Sequence, residues 1–112
     1  MKMLVVGSVN YMTIVTIKQS DNRYELSIQG HAMFNPGNDI VCSAISCLTY
    51  TFAESLMQGD FCEVDEITIE SGNVNIRVKI TSQHDFELVA KCFETGYLMV
   101  EKSYSDYVEV NI

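Results

Sequence analysis

The chain has 112 residues and a net charge of −8, and 47% of it is hydrophobic. That length and apolar share suit one domain over residues 1–112 with a single core, and they exclude a disordered chain. The surplus of carboxylates argues against a protein that grips nucleic acid, which takes clustered Lys and Arg, and it suits a basic partner.

In chain order, residues 1–11 carry one Lys and the run Met3-Leu4-Val5-Val6, too brief for a secretory signal. They read as an extension ahead of the first strand, or as a stretch that lengthens it. Thr13 to Ile17 alternate polar and β-branched residues, which predicts a strand. Ser20-Asp21-Asn22-Arg23 reads as a turn, and Tyr24 to Gln29 as a second strand closing a hairpin. Gly30 ends it, either as a plain stop or because the backbone comes close to something there.

His31 follows, then a loop with Asn35-Pro36-Gly37-Asn38 at its turn. Asp39 reads as the N-cap of a helix from Ile40 to about Gln58. Val41, Ile45, Leu48, Phe52 and Leu56 form its core stripe. Glu54 is its only charged residue, so the helix needs cover beyond one sheet, from a second subunit or from loops. Gly59 stops it.

Val64–Glu70 and Val74–Ile80 predict a second hairpin around Ser71-Gly72-Asn73. Ser82-Gln83-His84-Asp85 resembles a capping box and opens a second helix reaching about Ser103. Phe86, Val89, Phe93, Tyr97, Val100 and Tyr104 give that helix its core stripe. Tyr107–Ile112 alternates again as a last strand. The order β-β-α-β-β-α-β predicts an α+β fold, a mostly antiparallel sheet with two helices on one face.

The four cysteines, Cys42, Cys47, Cys62 and Cys92, have no C-x-x-C spacing. No metal or other cofactor is expected. With no run of transmembrane length the reading is cytoplasmic, with reduced thiols and no membrane partner. Cys62 reads as an exposed loop residue, Cys92 as a small apolar filler and Cys47 as lying off the face of Cys42. His84 reads as a surface histidine. Glu63, Asp65 and Glu66 read as a solvated face, or as a docking patch for a basic partner.

The chemistry gathers at residues 30–46. His31 leaves the strand and Cys42 stands in the first turn of the helix, so a base and a thiol can meet across the mouth of the loop. Unpaired amides and the helix dipole favour a thiolate at Cys42, and the same amides suit an oxyanion. The Asp39 carboxylate opposes that anion and an imidazolium at His31 supports it, and the sequence leaves the balance open. Ser46 stands one turn after Cys42, either lining the site or permitting close packing.

Gly30-His31-Ala32, a short loop, and then Asp39-Ile40-Val41-Cys42-Ser43-Ala44-Ile45-Ser46 resemble the ribosomal-processing cysteine protease family, Prp. The resemblance implies a small α/β homodimer with a Cys–His dyad that removes a short N-terminal extension from ribosomal protein L27. Carried over by motif, Cys42 is the nucleophile and His31 the base, with Asp39 and Ser46 in support. Gly30, Ala32, Met33, Phe34 and Gly37 belong to the substrate-binding loop. That loop is one residue shorter than usual in the family and contains Pro36, and Met33-Phe34 stand where members often have a Gly and an aromatic. The family's pattern begins near Met12, which sets residues 1–11 apart. Two other readings stay open: a protease acting on a phage structural protein, and a non-catalytic adaptor that binds a peptide in the same groove. A thiol acyl carrier or redox sensor ranks last, for want of a resolving Cys.

Overall fold

The computed structural model describes residues 12–31 and 39–112. The leading stretch 1–11 and loop residues Ala32, Met33, Phe34 and Gly37 therefore lie outside the described residues. The elements are β1 (Thr13–Ser20), β2 (Arg23–Gln29), α1 (Ile40–Gln58), β3 (Cys62–Glu70), β4 (Asn73–Ile80), α2 (Gln83–Ser103) and β5 (Val108–Asn111). This is the expected α+β order. The first and third strands are longer than their alternation suggested, because cross-strand pairing continues past the apolar stretch.

The five strands run in the order β3-β4-β2-β1-β5. The two hairpins are joined by antiparallel pairing of β2 with β4, where Leu26 stands opposite Ile76. β5 adds to the free side of β1 in parallel, Val15 opposite Val110, so the sheet is mixed. Alternation sends Val15, Ile17, Tyr24, Leu26, Ile28, Ile76 and Val78 into the core. The other face is polar, with Glu66 bonded to Arg77 at 3.0 Å and Arg23 paired with Asp65. These exposed pairs add little to stability.

The two helices cover the apolar face. α1 buries Val41, Ile45, Phe52 and Leu56 as its periodicity indicates, and it also buries Thr49. The Thr49 hydroxyl donates to the Ile45 carbonyl at 2.7 Å and shares a hydrogen bond of 2.8 Å with the Tyr97 hydroxyl of α2. A buried hydroxyl without such partners would cost several kcal/mol, on the order of 2–7. Leu48 is only partly buried.

α2 buries Phe86, Ala90 and Tyr97. Phe86 meets Tyr24 edge-on, at 4.9 Å between centroids, and Phe93 stacks on Phe52 at 4.8 Å. The Tyr24 hydroxyl donates to Glu94 at 2.8 Å, and burial raises its pKa. Ser82 is the N-cap of α2, but its side chain makes no cap hydrogen bond, so the predicted capping box has its place without its chemistry.

Several expectations need correction. Cys62 begins β3, half-buried, with its thiol directed at the Leu56 carbonyl 3.6 Å away, because the strand starts earlier than its alternation. Cys92 is exposed, since the α2 stripe passes it by. By length and composition α1 would pass for a membrane span, with a mean hydropathy of 1.4, although no run of that kind was expected. Val41, Ile45, Phe52 and Leu56 of this helix are buried in the core.

Candidate active site

Asp39 caps α1 as its residue type predicts. Its carboxylate accepts from the Cys42 amide at 2.9 Å, and its carbonyl accepts from the Ser43 amide at 3.1 Å. Cys42 is thus the third helical residue, half-buried, at the positive end of the helix dipole. The Cys42 and Ser43 amides are both engaged by Asp39, which leaves neither to serve the oxyanion expected at this helix start.

His31 is placed from the other side. Gly30 has φ +91°, and a β-carbon there would run into the Met12 carbonyl oxygen. Both readings of Gly30 hold: β2 ends at Gln29, and the Gly30 backbone comes close to that of Met12. The Gly30 amide donates to the Gly72 carbonyl at 3.0 Å, and Gln29 Nε2 donates to Asn73 Oδ1 at 2.7 Å. The exit of β2 is therefore tied to the turn between β3 and β4. His31, exposed at the end of this tether, lies with its Nε2 edge toward Gly72.

Cys42 and His31 line one cleft of about 330 Å³, and Gly30 and Ser46 line it with them. Ser46 is exposed where it lines this cleft. Asp39 stands behind the cleft as the cap rather than within its wall. Sequence reasoning missed Thr49, Tyr50 and the turn Glu70–Asn73, which also line it. The turn residues were legible as a turn, but no local signal indicates that β4 pairs with β2 and brings them beside His31.

The other candidates are elsewhere. His84 is exposed at the start of α2, 3.4 Å from Asp85. None of the four cysteines is in a disulfide. Among the described residues no group of three or more His, Cys, Asp or Glu is placed to hold a metal ion. A thiol at a helix start sharing a cleft with an imidazole can perform nucleophilic acyl transfer.

A sequence model of the family described as Cysteine protease Prp matches residues 12–109. The chain belongs to that family. Prp membership makes it a cysteine-type endopeptidase and sets the expected nucleophile class. Solved structures agree on the fold. One is the essential ribosomal processing protease Prp from S. aureus with a covalently linked product peptide, at TM-score 0.78 and 21% identity, covering 89% of this chain and 98% of that one. The same S. aureus protease with a substrate peptide gives TM-score 0.73 at 20% identity, with the same coverage. SMU.848 from Streptococcus mutans gives TM-score 0.69 at 21% identity, covering 90% of this chain and 93% of its own. Among curated proteins none matches at a significant level.

Proposed function

We propose that this Prp-family enzyme removes a short N-terminal extension from the precursor of ribosomal protein L27, using Cys42 as nucleophile and His31 as base. The observation that carries the proposal is the shared cleft: a thiol in the first turn of α1 and an imidazole at the end of β2 both line it. The Cys42 thiol gives its proton to His31, and the thiolate attacks the scissile carbonyl. The tetrahedral oxyanion collapses, His31 returns the proton to the leaving amine, and water then hydrolyses the thioester. The net charge of −8 suits a basic substrate tail. The S. aureus complexes with substrate and product peptides support a peptide partner. The enzyme acts as a homodimer in the cytoplasm, in keeping with its exposed apolar helix residues and with four cysteines that form no disulfide.

The test is cleavage of an L27 precursor, read by mass spectrometry of the product. Cys42→Ala folds, with a stability change on the order of 1 kcal/mol, and does not cleave. Cys42→Ser is nearly as inactive, because a hydroxyl stays protonated where a thiol ionises. His31→Ala loses turnover, and its Cys42 still reacts slowly with iodoacetamide because the helix dipole remains. Cys62→Ala combined with Cys92→Ala cleaves normally. A Cys42→Ala protein that still cleaved would end the protease assignment of this site. A peptide bound but never cut by the native chain would make it an adaptor.

A further inference from the structure

We infer that Gly72 is a positioning residue for the base: its lack of a side chain makes the space in which the His31 imidazole sits. The inference rests on the proposed role of His31. Two separate demands fall on this glycine. Its φ of +76° is in the left-handed region, which disfavours most side chains. Independently, a β-carbon at Gly72 would stand 2.6 Å from His31 Nε2, 3.1 Å from Cδ2 and 3.3 Å from Cε1. The turn conformation alone would tolerate Asn, but any L side chain begins with that carbon and obliges the imidazole to move.

The same residue also holds the backbone that carries His31. The Gly72 carbonyl accepts the Gly30 amide at 3.0 Å, one residue before His31. The neighbouring Gln29–Asn73 side-chain bond of 2.7 Å fixes the strand end from its other side. The backbone that leads into His31 is thus tied to a turn distant in sequence. A side chain at this position drives the ring off its seat, and displacement of a catalytic group by about 1 Å can cost on the order of a hundredfold in rate.

The experiment compares Gly72→Ala in the full chain, with and without His31→Ala, against a chain carrying D-alanine at the same position. The D-residue favours positive φ and places its methyl on the other side of the α-carbon, away from the ring. It is made by joining residues 1–61, as a thioester, to a synthetic segment 62–112 through Cys62. The readouts are kcat and KM on the L27 precursor, the pH profile of Cys42 alkylation by iodoacetamide, and the melting temperature. Gly72→Ala is expected to lower kcat about 10- to 100-fold with KM changed less than about threefold. It is also expected to slow alkylation at neutral pH only when His31 is present, and the D-alanine chain is expected to match the native one. If Gly72→Ala fails to fold, Gly72→Asn, which tolerates the positive φ and still carries a β-carbon, takes its place in the same comparisons. Equal kinetics for Gly72→Ala and native enzyme, or a loss of alkylation that is the same without His31, would overturn the inference. If instead His31→Ala alone leaves cleavage and the alkylation profile unchanged, the proposed base is wrong, and the two failures are distinct.

Discussion

Asp39 acts on Cys42 in two opposed ways. Its carboxylate satisfies the Cys42 amide and so stabilises the start of α1, which favours the fold. The same negative charge disfavours a thiolate nearby. Two substitutions separate the effects. Asp39→Asn keeps an accepting cap oxygen without the charge, so stability is expected to hold while iodoacetamide labels Cys42 faster at neutral pH. Asp39→Ala loses the cap as well, and chemical denaturation is expected to report a loss of about 1 kcal/mol. Slower labelling in Asp39→Asn would show that the carboxylate helps the thiolate, through His31 or another group, more than its charge opposes it.

Among the elements, the pair Thr49 and Tyr97 ties α1 to α2 directly behind the cleft. Burial pushes the Tyr97 phenol up from 10.0 to about 12, against a smaller opposing effect of its hydrogen bond to Thr49. In the unfolded chain the phenol ionises near 10.0, while in the fold it stays protonated up to about 12. Between those values the unfolded state binds fewer protons, so stability is whole below pH 10 and falls as pH rises through the window. The fall from this residue is on the order of 2 kcal/mol. Tyr97→Phe is expected to cost about 1 kcal/mol at neutral pH, for the lost hydrogen bond, and to make the alkaline fall shallower. Denaturant titrations from pH 8 upward measure both, and an unchanged alkaline slope would contradict the assignment. Tyr24, raised by burial and by Glu94, still contributes its own part of that fall in the variant.

At the scale of the whole molecule the open question is what covers the helices. The sheet takes one side of α1, yet Tyr50 and Met57 on α1 and Leu88, Leu98 and Met99 on α2 remain exposed. Surface of that kind is common on monomers when scattered and marks contacts when continuous. The homodimer proposed above predicts a mass of twice 12.6 kDa by light scattering at micromolar concentration. It also predicts that Met99→Lys and Leu88→Lys shift the chain toward monomer without unfolding it. A native chain that is monomeric under those conditions would remove the dimer.

Much of this was local, and local signals are legible in a sequence. The alternation of Thr13–Ile17, the bounds Ile40–Gln58 of α1, most of its stripe and the Asp39 cap depend on neighbours within a turn or two, and these are found where they were expected. The motif around His31 and Cys42 is equally local. The rest depended on which distant segments pack together. Thr49 is polar and reads as surface until Tyr97 supplies a buried partner. Cys62 becomes half-buried only because β3 pairs with β4 and begins under the end of α1. The parallel edge of β1 and β5 has no sequence signature of its own, since alternation sets a strand and not its neighbour. Most consequential is the pairing of β2 with β4, which brings Gly72 against His31 across more than forty residues of chain. A sequence names the candidate reactive residues because chemistry belongs to residue types. The seat of the imidazole belongs to the sheet, because a close approach exists only once both strands are in register.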